Sequence, residues 1–281
     1  MAPLLTVIIP TCNRHHTLLR AVESVVMQNV DDLEVIVVND GNSELPEIII
    51  EKLTMINNVK ITRNIKEHGA ANARNFGVER ASGIYVTFLD DDDIYLPGRL
   101  LNMLSKIKNG AYIFVSSGRF HEVGDFNEIQ CLPHQLAGNI SLDSVKFVND
   151  IDIGFLVSRN NFLTIGGFDP SFTNLEDWDL IIRLLKIGSG YKLERLDYAV
   201  NIDPNRPRVS NNDYKGYREL AAKYKSVFDK KWYFYMLAMA DRLEHKLTAT
   251  CAIKYSISSG SKLPFILYLK YKLQFLKYKK F

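Results

Sequence analysis

I-Y-V-T-F-L-D-D-D-D-I-Y-L-P is the sequence of residues Ile84–Pro97, an apolar run followed by four consecutive aspartates. Its first five residues are β-branched or aromatic and the sixth is Leu89, which predicts a short buried strand. The strand ends in Asp90–Asp93, and four adjacent carboxylates repel one another unless solvent, helix N-termini or a cation offsets their charge. A solvated acidic turn is the alternative. Since ligands of α/β proteins gather at the carboxyl ends of strands, and Mg²⁺-like ions prefer oxygen ligands, we favour a metal site.

The residues on either side of this stretch alternate between strand and helix patterns. Strands are predicted at Leu4–Ile9, Leu33–Val38, Val59–Thr62 and Ala111–Ser117, and helices at His15–Met27, Glu47–Met55, Gly69–Ala81 and Pro97–Ile107. Such alternation predicts an α/β fold with an open, mostly parallel sheet flanked by helices and wound by right-handed crossovers.

The second half of the chain has a weaker pattern, and 118–149 is assigned only loosely. Further predictions are a return to the sheet at Gly154–Val157, a loop at Gly166–Asp169, a helix at Leu175–Ile187 capped by Asn174, strand structure at Tyr191–Asn201 and a loop at Asp203–Arg208. From Asp213 onward the pattern is helical, with breaks near Asp229 and Ser258–Pro264.

The charge of the chain is unevenly distributed. The formal net charge is +3, but Lys262–Phe281 holds six lysines and no acid, so the remainder carries −3. The main body therefore gives no reason to expect nucleic-acid binding. The three cysteines are widely spaced, which favours a reducing compartment over a disulfide framework or a zinc site. We find no signal-peptide pattern and no run near the ~18 apolar residues of a membrane span.

Six short motifs follow one another along the chain: V-I-I-P-T-C-N-R at Val7–Arg14, V-V-N-D-G-N at Val37–Asn42, A-N-A-R-N-F-G at Ala71–Gly77, F-L-D-D-D-D at Phe88–Asp93, G-G-F-D at Gly166–Asp169 and E-D-W-D-L at Glu176–Leu180. Their order resembles that of family-2 glycosyltransferases of the GT-A fold. Each is weak alone, and the resemblance ends after Asp213. It implies a nucleotide-sugar donor, usually a UDP-sugar, and transfer with inversion at the anomeric carbon.

The resemblance assigns residues to the donor. Those matching nucleotide-sugar-binding positions are Pro10, Thr11, Arg14, Asp40, Arg74, Asn75, Asp90 and Asp91. Asp40 matches the acid that accepts a hydrogen bond from the uracil N3–H, although an Asp in such a turn is often only a cap. The family commonly has a histidine after the last sheet strand, but none lies between Tyr198 and Ser210, so Arg206 and Arg208 are the available cations there.

The resemblance also assigns the metal ligands, the base and the acceptor site. Asp92 matches a direct ligand of Mn²⁺ or Mg²⁺, with Asp93 bound through water and Asp90 near the ribose. Asp177 matches the general base that an inverting transfer needs. A structural role is the alternative, because acids are favoured in the first turn of a helix. Glu176 and Trp178 are assigned to the acceptor, with a core role as the alternative for the tryptophan.

The predicted organisation is a glycosyltransferase domain at 1–210, with a nucleotide-binding half at 1–117 and an acceptor-binding half at 118–210, followed by a helical extension at 211–281. On a helical wheel, Ile266, Leu269, Leu273 and Leu276 form an aliphatic stripe opposite an aromatic one. We expect the aliphatic stripe to pack on the body while lysines and aromatic rings meet an anionic membrane. A docking helix or a dimer contact is the alternative.

These features together predict transfer of a sugar to a glycan or lipid-linked glycan at the cytoplasmic face of the cell membrane, with the protein bound peripherally. A sugar nucleotidyltransferase is one rival, although P-T-C-N-R is not the Gly-rich signature expected there. A nucleotide-sugar-binding module without catalysis is the other, and the presence of both Asp92 and Asp177 argues against it. The oligomeric state is left open.

Overall fold

The computed structural model of the protein describes residues 3–132, 135–202 and 213–278. The strands are β1 Leu5–Thr11, β2 Leu33–Asn39, β3 Val59–Arg63, β4 Tyr85–Phe88, β5 Ile94–Tyr95, β6 Phe114–Val123, β7 Glu128–Cys131, β8 Gly138–Ile140, β9 Leu156–Ser158 and β10 Gly190–Asn201. The helices are α1 His15–Val26, α2 Glu47–Thr54, α3 Ala70–Arg80, α4 Arg99–Lys108, α5 Arg159–Thr164, α6 Glu176–Leu185, α7 Asp213–Tyr224, α8 Lys230–Leu243, α9 Ala249–Ser259 and α10 Leu263–Tyr278.

One mixed sheet organises the first 202 residues, with strand order β3-β2-β1-β4-β9-β6-β10-β5. The strands β3, β2, β1 and β4 are parallel, whereas β9 is antiparallel to both of its neighbours, β4 and β6. β10 is parallel to β6, so it also runs in the direction of β4. The carboxyl ends of β1, β2 and β4 therefore share one edge, and the polar turns that follow them lie there.

Alternate residues of the central strands enter two separate apolar layers. Leu5, Val7 and Ile9 of β1 pack with the buried faces of α1, α2 and α4 on one side. Ile8 packs with α3, α5 and α6 on the other. Covering a sheet on both faces explains why β1 and β2 are continuously apolar, and each fully buried aliphatic side chain contributes about 1.5–3 kcal/mol. The predicted α/β class is confirmed.

The second half of the sheet differs in detail from the prediction. β6 continues to Val123, six residues beyond the predicted end, and pairs with β7 across a turn in which Gly124 has φ +60°. The short elements β5 and α5 were not predicted. Elements of two to six residues carry too little periodic signal, and β5 is fixed instead by pairing of Tyr95 with Tyr198 of β10.

The chain divides into two compact units. One comprises Met1–Pro170 and Asp177–Asn205, and the other Ser171–Glu176 and Arg206–Phe281. In the second unit, the side chains of Asp229 and Thr248 cap the N-termini of α8 and α9. The helical region therefore also breaks before Thr248, where the sequence pattern predicts no break.

The last helix packs through a different face from the one expected. Leu267 is buried against Ala238, Leu247 and Ala252, with Phe265 and Tyr268 packed beside them. In contrast, the stripe residues Ile266, Leu269 and Leu273 are exposed. The expectation that the aliphatic stripe packs is therefore wrong for these three residues, because Leu267, Phe265 and Tyr268 are the side chains of α10 that meet α8 and α9. In the described part of the chain, no helix is long and apolar enough to cross a membrane.

Candidate active site

The four aspartates form a tight turn between β4 and β5. Carboxylate oxygens of Asp90, Asp92 and Asp93 lie within 4.8 Å of one another, close enough for a single ion. The side chain of Asp91 is buried and lies outside this group. An all-oxygen donor set suits Mg²⁺ or Mn²⁺ rather than zinc, so the residues fit the expected metal.

Two arginines from different motifs face this turn. Arg14 Nη1 lies 3.0 Å from Asp92 Oδ2, and its Nη2 lies 2.7 Å from Asp91 Oδ1. Arg74, which is 4% exposed in α3, contacts Asp90 Oδ1 through Nη2 at 2.6 Å. The cluster thus combines carboxylates, which can bind a cation, with guanidinium groups, whose planar geometry suits contact with two phosphate oxygens.

Burial shifts the titration of the inner aspartates. It raises the pKa of Asp91 to about 6, although the nearby Arg14 guanidinium acts in the opposite direction. Burial, with repulsion from Asp92, also places the pKa of Asp93 well above its ordinary value. Both oxygens of Asp93 accept hydrogen bonds, one from the Tyr198 hydroxyl at 2.7 Å and one from the Asn201 N–H at 2.9 Å. Two residues of β10 therefore hold the carboxylate of Asp93 in place.

Asp40 lies at the same edge, immediately after β2. Its backbone N–H donates to Thr11 O at 2.8 Å, which joins it to the end of β1, where Pro10 and Thr11 lie. Its Oδ1 accepts from Asn64 Nδ2 at 2.7 Å and its Oδ2 from Gly69 N–H at 2.8 Å. Sequence reasoning missed Asn64, which follows β3 as Asp40 follows β2. Beside it is a pocket of about 280 Å³, lined by Asn42, Arg63, Asn64, Ile65, Lys66 and His68.

Asn75 has a different environment from Arg74. Its Nδ2 donates to Phe168 O at 2.8 Å, and its Oδ1 accepts from Phe168 N–H at 2.9 Å. The preceding Gly167 has φ +66°, and a Cβ there would lie 2.6 Å from Asn75 Oδ1. Only glycine fits this position, and the close approach allows the side chain of Asn75 to bind the backbone of the G-G-F-D motif. In this structure the amide of Asn75 is bound to backbone.

Asp177 lies in the first turn of α6. Its Oδ2 accepts from Asn149 Nδ2 at 3.0 Å and its Oδ1 from the Trp178 N–H at 2.7 Å. The carboxylate is half-buried, like that of Glu176. Helix α6 begins at Glu176, two residues after the predicted cap Asn174, because Leu175 has φ +62°.

Trp178 is packed as a core residue. Its side chain is 1% exposed, and its indole N–H donates to Val145 O at 2.9 Å. The ring therefore has no exposed face for the stacking that was expected against a sugar. Arg206 and Arg208 lie outside the described residues.

Residues 6–163, more than half of the sequence, match the family model of Glycosyl transferase family 2. The chain belongs to that family. A putative colanic acid biosynthesis glycosyl transferase, WcaA of Escherichia coli, is 26% identical over 270 residues, covering 93% of this chain and 96% of that protein. An uncharacterized glycosyltransferase of Rickettsia typhi is 29% identical over 198 residues, and the aligned part covers 68% of this chain and 61% of the Rickettsia protein. This chain therefore spans about three fifths of that relative.

Other similar proteins cover parts of the chain or its fold. A GalNAc(5)-diNAcBac-PP-undecaprenol beta-1,3-glucosyltransferase of Campylobacter jejuni is 38% identical over 116 residues, 40% of this chain and 37% of that protein. The structure of S. aureus TarS 1-349 in complex with UDP-GlcNAc aligns with a TM-score of 0.66 at 16% identity, covering 88% of this chain and 74% of that one. At that identity the likeness is one of fold, and it agrees with the GT-A architecture expected from the sequence.

Proposed function

We propose that the protein is an inverting glycosyltransferase that moves one sugar from a nucleotide-sugar, with UDP as the nucleotide, to a hydroxyl group of a glycan or lipid-linked glycan. The observation that carries this proposal is the aspartate turn, with Arg14 and Arg74 against it and Asp40 at the same sheet edge. The UDP-GlcNAc complex of TarS supports the choice of donor. The undecaprenol-linked substrate in the name of the C. jejuni relative supports a lipid-linked acceptor.

The donor half of the site works mainly through charge. Asp92 would be the direct ligand of Mn²⁺ or Mg²⁺, and a bound ion would neutralise charge on the leaving diphosphate. Asp93, assigned to contact through water, lies within reach of the same ion, and Tyr198 and Asn201 hold its two oxygens. Arg14 and Arg74 would exchange part of their contact with aspartate for the phosphate oxygens. Asp40, held by Asn64 and Gly69, would accept from the base.

Asp177 would take the proton from the acceptor hydroxyl as that oxygen attacks the anomeric carbon. A single displacement of this kind inverts the configuration. The Asn149 amide and the Trp178 N–H fix the carboxylate in one orientation. Glu176, at the start of the same helix, is our candidate for binding the acceptor.

The rival functions predict different products. A sugar nucleotidyltransferase would make UDP-sugar and pyrophosphate from UTP and a sugar phosphate, and a binding module would make nothing. A family-2 transferase should release UDP slowly from UDP-sugar without acceptor and faster with it. Chromatography of these reactions with Mn²⁺ distinguishes the three. Absence of UDP release from every common UDP-sugar, with or without lipid-linked glycan, would refute the proposal.

We also propose that α9 and α10 bind the protein peripherally to an anionic membrane at its cytoplasmic face. Ile253 and Ile257 of α9 are exposed, as are Ile266, Leu269 and Leu273 of α10. Between His245 and Phe281 the sequence has eight lysines and no acid. A second copy of this surface would bring like charges together, whereas anionic lipid attracts each lysine by about 1 kcal/mol, so charge favours lipid over self-association.

A further inference from the structure

A buried arginine lies behind the aspartate turn. Arg99, the first residue of α4, is fully buried, and its guanidinium carbon is 4.8 Å from the ring centroids of both Tyr95 and Tyr198. The two rings contact each other edge to face at 5.4 Å. The arginine thus packs against both members of a tyrosine pair, a strongly favourable arrangement when water is excluded.

The charge of Arg99 is fully compensated inside the protein. Nη1 donates to Asp197 Oδ1 at 2.9 Å, and Nη2 donates to Asp152 Oδ1 at 2.9 Å and to Gly154 O at 2.8 Å. These partners come from β10 and from the segment before β9. A buried charge held this way keeps its neighbours in one arrangement, because any displacement leaves an ion without a partner.

The hydroxyl groups of the two tyrosines reach opposite ends of the aspartate turn. Tyr95 Oη donates to Phe88 O at 2.5 Å, at the end of β4 and two residues before Asp90, and Tyr198 Oη donates to Asp93 Oδ2 at 2.7 Å, at the end of the turn. Tyr95 and Tyr198 are also paired residues of β5 and β10. The turn is therefore attached at both ends to one rigid group, the Tyr95–Arg99–Tyr198 frame.

We propose that Tyr198 is a positioning residue, which holds Asp93 and through it the carboxylates of the turn in the arrangement that binds a divalent cation and a nucleoside diphosphate. This inference rests on the proposed function, which gives the turn that task. Tyr198 contacts neither ligand, and its effect passes through Asp93. Tyr95 fixes the other end of the turn through the carbonyl of Phe88.

Calorimetric titration of UDP with Mn²⁺ tests the inference without a turnover measurement. Tyr198→Phe removes one oxygen and leaves the ring, and we expect 10- to 100-fold weaker Mn²⁺-dependent UDP binding, the range for outer-shell partners of metal ligands. Tyr112→Phe is the matched control, because it removes a hydroxyl bonded to Asn139 at 3.0 Å, and it should bind as wild type does. Should Tyr198→Phe fail to fold, Tyr95→Phe provides the same test from the other end.

A double-mutant cycle separates positioning from a general loss of stability. If Tyr198 acts through Asp93, Tyr198→Phe should have little further effect on UDP binding in an Asp93→Ala background, which removes the acceptor of its hydroxyl. Equal effects in both backgrounds would overturn the inference, and so would wild-type affinity in Tyr198→Phe or, where that variant does not fold, in Tyr95→Phe. Absence of Mn²⁺-dependent UDP binding by the wild-type protein would refute the proposed function itself, so the two failures are distinguishable.

Discussion

Replacing Asp177 with asparagine tests the proposed base with the least structural change. The variant keeps the shape of the side chain and an oxygen for the Trp178 N–H, but its amide would meet the Asn149 amide, 3.0 Å away in the wild-type protein. Loss of that one hydrogen bond to a charged group costs about 1.5–3 kcal/mol of stability, which leaves a protein of ordinary stability folded. Loss of a general base costs about 10²- to 10⁴-fold in turnover, or about 3–5 kcal/mol in the barrier. The loss of turnover should therefore come from the missing base and not from unfolding.

The assay is sugar transfer under saturating donor, with UDP affinity measured in parallel. We expect turnover to fall by at least ~10²-fold while donor affinity stays near wild type. Asn149→Ala is the matched control, since it removes the same hydrogen bond but keeps the carboxylate, and it should lose much less. Wild-type turnover in Asp177→Asn, or a larger loss in Glu176→Gln, would refute the assignment of the base.

Three further predictions concern the metal, stability and the membrane. Asp92→Ala should abolish transfer and weaken Mn²⁺-dependent UDP binding, whereas Asp91→Ala should be milder; equal losses would mean that the assumed D-x-D register is wrong. Burial raises the pKa of Glu34, but the hydrogen-bond donors around it lower this pKa by more, so the net shift is downward. Glu34 therefore stabilises the fold above pH ~4.5, and this contribution is lost as the pH falls through the pKa of the folded state. Glu34→Gln should therefore flatten the unfolding free energy against pH in that acidic range, and an unchanged profile would contradict this. Ile257→Glu should reduce sedimentation with anionic liposomes relative to Ile187→Glu, a matched control at another exposed isoleucine, and high salt should release both; equal sedimentation would contradict the membrane surface.

The central strands and the edge that holds the site are predictable from sequence. β1 and β2 are continuous apolar runs, and polar turns follow them directly, so the positions of Asp40 and the aspartate turn follow from parallel strand order. The same reasoning applied to β3 would have found Asn64. No motif of the sequence marks that residue.

Other parts of the site depend on contacts distant in sequence. Tyr198 lies in an ordinary strand pattern, and only its pairing with β5 brings it to Asp93. Trp178 and α10 show a related limit, since a helical wheel predicts two faces but not which one meets the core. The neighbouring elements decide that, and their packing is not encoded in the local sequence.

Anomalous scattering from a crystal soaked with Mn²⁺ and UDP tests whether the aspartate turn binds both the metal and the diphosphate. We predict one manganese peak at the aspartate turn, about 2.1 Å from an oxygen of Asp92 and from phosphate oxygens of UDP, with the base beside Asp40. Arg14 and Arg74 should contact the diphosphate. A nucleotide bound without manganese at this turn, or bound elsewhere on the protein, would contradict the claim.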